Sequence, residues 1–236
     1  MRIRSFIIAY ALVLAILLFA DRRPGSTQQD RYSHVVDLTV GQSASPTDAF
    51  ARESGTRILA PAAFIPGTWA AGQIPPERLV APLVVMDLNA AGEGSPQISL
   101  DDIAAWESQH GIIPQGAVVA IRVGTLRAES KTNDQSDETR SNEDRPIRPL
   151  ASLPIARDAA MFLIDARYTI GFVVETPVNL TYDRTLAQQL ALHGNYVLEG
   201  ATRFTSLPAT GSLIIVAPAK NKKPGDAPVR ILAMVK

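Results

Sequence analysis

Glu53 and Arg57 are the charged side chains beside a turn that could position chemistry. Glu53 and Arg57 flank Gly55 and Thr56 in the stretch "SGTRILAPAAF" (54–64), where Gly55, Thr56, Ala60 and Pro61 predict a tight, backbone-defined turn. The histidines, the usual general bases and metal ligands, number only three: His34, His110 and His193. His110 and His193 each precede a glycine at a predicted helix C-terminus, where contact with the helix dipole accounts for them. His34 lies at the edge of the first predicted strand and reads as a surface residue. Thr125 has no recognisable base nearby and reads as a strand-end threonine rather than a nucleophile. "PATGSL" lacks the lysine and the following helix of a phosphate loop, so it is a turn before a strand. "KNKKPGD" (220–226) reads as a solvated basic hairpin loop.

Composition removes several classes of function. The 23 basic and 23 acidic residues of the 236 balance, so no global field points to nucleic acid. The chain has no cysteine, which excludes disulfides, thiolate metal centres, cysteine nucleophiles and a lipid-modified N-terminal cysteine.

The elements that must position these residues alternate along the chain. "HVVDLTV" (34–40) alternates as a half-buried strand, and "LVVMDL" (83–88) is continuously apolar, as in a strand buried on both faces. "SLDDIAAWESQHG" predicts a helix with Ser99 as N-cap, Asp101 and Asp102 in the first turn and Gly111 past its end. A strand at 117–124, a helix at 158–166, a strand in "TIGFVVE" and a helix at 185–194 follow. The strands "NYVLEG", "SLIIVAPA" and "VRILAMV" close the chain. The pattern predicts one α/β domain with a mixed sheet over residues 34–236. Within it, residues 127–149 hold almost no apolar side chain and are expected to form a mobile charged insertion.

Residues 1–23 predict a membrane anchor or a signal segment. "MRIR" is basic, and Ser5 to Ala20 is an almost uninterrupted apolar run. As a helix that run would span roughly 24 Å, somewhat short of a bilayer core of about 30 Å. Cleavage after Ala20 would place Leu18 at a position that favours small residues, with Arg22 and Arg23 just beyond. An uncleaved anchor with an exported, periplasmic body is therefore expected, with secretion after cleavage as the alternative. Residues 24–33 read as a linker.

These pieces, in order, resemble the metal-dependent cyclase/hydrolase family that includes bacterial kynurenine formamidase and isatin hydrolase. "SGTRILAPAAF" falls on the family's His-x-Gly-Thr-His-x-Asp-x-Pro-x-His segment and "LVAPLVVMDL" on the strand after it. "SLDDIAAWESQHGIIPQGAVVAIRVG", "IGFVVETPVN" and the stretch from Tyr196 to Val235 follow the family's later elements. The resemblance implies a swivelling β/β/α fold and a site in which divalent metal activates water against an amide or lactam carbonyl. It places the first histidine at Glu53, the second at Arg57, the aspartate at Leu59 and the closing histidine at Ala63. The later histidine would lie within Ala187 to Gln189, and the family glutamate is Glu199. Leu59 and Ala63 carry no lone pair, and a guanidinium cannot become a ligand. At the positions so implied, Glu53, Arg57 and Glu199 could serve a metal-independent hydrolysis. Arg57 and Glu199 could equally form a salt bridge, or Arg57 could point to solvent while Glu199 pairs elsewhere.

Four expectations follow: no cofactor, no bound metal, and the five positions Glu53, Arg57, Leu59, Ala63 and Glu199 as a vestigial site; and a non-catalytic, membrane-tethered accessory subunit of a membrane protein complex, held in the bilayer through Ser5 to Ala20, with a homodimer also open. The alternatives are an arylformamidase-type hydrolase with an altered or metal-free site, and a small-molecule binding protein using the old cleft.

Overall fold

Strand β8 (Asp226–Val235) holds the architecture together, because three other strands pair along its two edges. In chain order the described elements are β1 (His34–Asp37), β2 (Arg57–Leu59), β3 (Val80–Asp87), α1 (Leu100–His110), β4 (Val118–Arg122), α2 (Arg157–Arg167), β5 (Gly171–Val174), α3 (Arg184–Leu192), β6 (Tyr196–Glu199), β7 (Ser212–Pro218) and β8. This computed structural model describes residues 32–41, 55–88, 97–122, 153–178, 180–220 and 225–236. The chain divides into a unit of residues 1–33 and a unit of His34–Lys236. The expected anchor Ser5 to Ala20, Glu53, Thr125 and the insertion 127–149 all lie outside the described residues. Among the described residues no helix is long and apolar enough to cross a membrane.

β3, β4, β5 and β6 run parallel, joined by crossovers that contain α1, α2 and α3. β7 adds antiparallel to β3, and β2 adds antiparallel to β6. β8 pairs antiparallel with both β7 and β2, so the mixed sheet closes into a barrel of seven strands, with β1 extending the edge of β8 beyond β2. The sequence pattern predicts the mixed sheet but not its closure. Closure depends on the first residues of β8, Asp226 to Pro228, which extend the expected strand at 229–235 backwards to meet β2. Pro228 lacks an N–H and weakens the strand signal there.

Alternation along the parallel strands makes two cores. Leu83, Val85, Val118, Ala120, Val173 and Leu198 fill the barrel, while Val84, Met86, Val119, Ile121, Phe172 and Val197 pack outward under the helices. Among the described residues Tyr196 is the largest fully buried side chain, and it lies across Gly171, its register partner. A Cβ at Gly171 would sit 2.6 Å from the Tyr196 ring, so that position must stay without one.

Helix α1 begins in a capping box, with Ser99 N–H donating to Asp102 Oδ2 (2.8 Å) and Asp102 N–H to Ser99 Oγ (3.2 Å). It ends at Gly111 (φ 87°). Its Trp106 indole N–H donates to the Val85 carbonyl at 3.0 Å, fixing the helix to β3.

Candidate functional site

The glycine–threonine pair in "SGTRILAPAAF" frames the candidate site through its backbone. Thr56 is buried; its hydroxyl donates to the Gly200 carbonyl (2.8 Å) and accepts from Val40 N–H (2.7 Å). Thr56 N–H donates to Val40 O (3.1 Å), so one residue ties the entry to β2 to the segments after β1 and β6. Gly200 has φ 67°, and a Cβ there would lie 2.7 Å from Gly55 O. The bend therefore serves the fold whatever chemistry stands beside it.

The stretch expected to be a turn is in part a strand. Arg57, Ile58 and Leu59 form β2, between β6 and β8, and Pro61–Ala63 then form a 3-10 turn. A strand of three residues shows no periodicity; its pairing partners on both edges define it. Ile58 points into the barrel core, so Arg57 and Leu59 point to the outer face.

On that face Arg57 stands opposite Glu199 of β6, and Leu59 stands between Val197 of β6 and Asp226 of β8. The Arg57 side chain is only 14% exposed, and its Nε–H donates to the Asp226 carboxylate in an ion pair. Glu199 is buried, and one of its carboxylate oxygens accepts the Val178 backbone N–H at 3.0 Å. Leu59 packs with Phe64 against the core under the helices. Ala63 is exposed at the end of the 3-10 turn, against which α3 packs. Ala187 is buried on α3 with Gln188 and Gln189 beside it. The structure thus brings Arg57, Leu59 and Glu199 onto one sheet face with Ala63 on the adjoining turn, while Glu53 lies outside the described residues.

Asp226 is the residue that sequence reading missed. It falls in "KNKKPGD", which reads as a solvated loop, but opens β8 and pairs with Arg57. The available signal was an acidic residue directly before an alternating apolar run. The other solvated features stand as expected: His110 ends α1 and His193 caps α3, where its Nδ1 lies 2.9 Å from Gln189 O.

As a donor set for a divalent metal, these residues do not fit. Leu59 and Ala63 have no lone pair, Arg57 brings a permanent positive charge, and α3 offers no imidazole at Ala187 to Gln189. Among the described residues no three His, Asp or Glu side chains converge on one point.

A concavity of about 280 Å³ lies elsewhere, where β3 and β4 end beside α1. Trp106 and His110, with ring centroids 4.9 Å apart, line it together with the ion pair of Asp87 and Arg122. The bond from Asp87 holds the Arg122 guanidinium above its ordinary pKa, against the opposing effect of burial.

Fold and site together define a closed α/β barrel whose outer sheet face carries Arg57, Glu199 and Asp226. The Cyclase family model matches residues 26–179, more than half of the chain, and the chain belongs to the cyclase family. An isatin hydrolase from Roseibium aggregatum is 27% identical over 198 residues, covering 77% of this chain and 71% of that protein. The solved structure of isatin hydrolase A from Ralstonia solanacearum superposes with a TM-score of 0.65 at 27% identity, over 86% of this chain and 92% of that one. Isatin hydrolase A from Labrenzia aggregata, solved with benzyl benzoate bound, superposes with a TM-score of 0.62 at 24% identity, over 96% and 99%, a likeness of fold.

Proposed function

We propose that this chain is an isatin hydrolase-like hydrolase of small amides, formamides or lactams, working from an altered, metal-free site. Its similarity to isatin hydrolases supports the reaction class. The observation that carries the site assignment is the Arg57–Glu199 pairing across β2 and β6, with Glu199 fixed by the Val178 N–H. In this reading Glu199 takes a proton from water as the water oxygen adds to the substrate carbonyl carbon. The Arg57 guanidinium stabilises the oxyanion, the role a metal would otherwise fill. Collapse of that intermediate breaks the C–N bond, and Glu199 returns the proton to the leaving nitrogen. The test is turnover of isatin and of an N-formyl arylamine by the full chain in the presence of EDTA. Chelator-resistant hydrolysis that falls at least a hundredfold in Glu199→Gln supports the proposal. Activity no greater than that of Glu199→Gln overturns it.

A second reading is favoured by Leu59 and Ala63, which offer no ligand, and by the apolar run from Ser5 to Ala20. It is a non-catalytic accessory subunit, tethered to the membrane with its body exported to the periplasm and docked on other membrane proteins. Co-purification of stoichiometric partners from detergent-solubilised membranes, with no hydrolysis, supports it. A clean homodimer without other subunits counts against it. A third reading, a binding protein for a small carbonyl compound in the same cleft, predicts a ligand-induced rise in melting temperature without turnover.

A further inference from the structure

We infer that Arg57 is the resident cation of this site: its guanidinium supplies the positive charge that holds Glu199 and Asp226 together, so the fold neither needs nor accepts a divalent ion there. This does not rest on the chain being a hydrolase, since it concerns charge and stability alone. Three strands bring three charges to one face. Arg57 sits on β2, with Glu199 directly across on β6 and Asp226 diagonally across on β8. Directly opposed and diagonal neighbours are the cross-strand positions within reach of a long side chain. The ion pair of Arg57 with Asp226 is formed, and Glu199 is buried at 8% exposure.

Two carboxylates flanking one sheet position, one of them buried, repel each other and need a counter-charge when taken from water. A permanently protonated guanidinium meets that need at every physiological pH, whereas a bound metal would have to compete with it. The neighbouring positions agree with this assignment. Leu59 extends the apolar core toward Asp226, leaving a dication nothing to coordinate between Val197 and Asp226. A metal at this face would meet the Glu199 and Asp226 carboxylates only beside the Arg57 guanidinium, with no further lone pair from Leu59 or Ala63.

The experiment is a stability cycle on the full chain, with metal titration. Arg57→Met is expected to raise the unfolding equilibrium constant at least tenfold. Glu199→Gln, which keeps an acceptor for the Val178 N–H, is expected to recover most of that loss in the Arg57→Met background. Strictly additive effects of the two changes would overturn the inference. If Arg57→Met does not fold, Arg57→Lys, which keeps the charge, must fold, and soluble protein must return in the Arg57→Met/Glu199→Gln pair. Failure of both overturns it. In the wild-type protein, Mn²⁺, Zn²⁺ and EDTA should leave the melting temperature unchanged. A saturable rise with metal that disappears in Glu199→Gln overturns it by a route that needs no turnover assay.

Discussion

Leu59 shows how one side chain decides what this sheet face can do. It stands opposite Asp226 in register and packs with Phe64 on the core beneath the helices. A carboxylate introduced at this position would place two like charges directly opposite each other and remove an apolar contact. Leu59→Asp is therefore expected to destabilise the protein by about 2 kcal/mol, read from the urea midpoint. An unchanged midpoint would show that position 59 faces solvent. Gly171 makes the complementary point inside the barrel. A methyl group there would meet the Tyr196 ring at 2.6 Å and the Tyr196 carbonyl oxygen at 2.9 Å. Because a backbone atom is among those obstructed, Gly171→Ala should cost about 1–3 kcal/mol, measurable as a fall in melting temperature. Tyr196 itself is held by its hydroxyl, which donates to Arg78 O at 2.8 Å, and its burial pushes its pKa above the ordinary tyrosine range.

Among the elements, α1 and α2 are joined at their C-terminal ends by Glu107 and Arg167. Arg167 Nε and one terminal nitrogen donate to the two Glu107 oxygens at 2.7 and 2.8 Å, and Ile113 N–H donates to the same carboxylate at 3.0 Å. The bond from Arg167 and that from Ile113 outweigh burial and hold the Glu107 carboxyl below its ordinary value of 4.5. A carboxylate whose pKa is depressed in the folded state contributes stability above its unfolded pKa and loses it as pH falls through the folded pKa. Glu107→Gln should thus cost about 1–2 kcal/mol at pH 7. That difference from wild type should shrink in chemical denaturation below roughly pH 4. A difference constant down to pH 3 would place the effect in packing instead of charge.

For the whole molecule, the division at His34 separates the cyclase barrel from the segment that carries the apolar run. The barrel has two complete cores and its own helix caps, so residues 34–236 are expected to fold alone and to unfold cooperatively without detergent. The full chain is expected to remain in the pellet after carbonate extraction of membranes, and the shortened chain in the supernatant. Recovery of both in the supernatant would remove the tether. The same pair of proteins tests assembly: light scattering of residues 34–236 reports whether any homodimer belongs to the barrel.

Local signals determined much of this protein from sequence alone. The Ser99–Asp102 box, the glycine after His110 and the apolar run Leu83 to Met86 of β3 are each set by neighbours a few residues away, and α1 and β3 are found where those signals predict. The identities at positions 57, 59 and 63 are likewise sequence facts, and their chemistry is fixed before any folding. Closure of the sheet, the strand character of Arg57–Leu59 and the role of Asp226 were decided by tertiary structure. Asp226 lies 169 residues from Arg57 in the chain, and each looks like a loop residue in its own stretch. Only when β8 closes the barrel against β2 does a carboxylate from an apparent hairpin loop meet a guanidinium from an apparent turn. Pairing across such a separation is set by the register of whole strands, which no local pattern encodes.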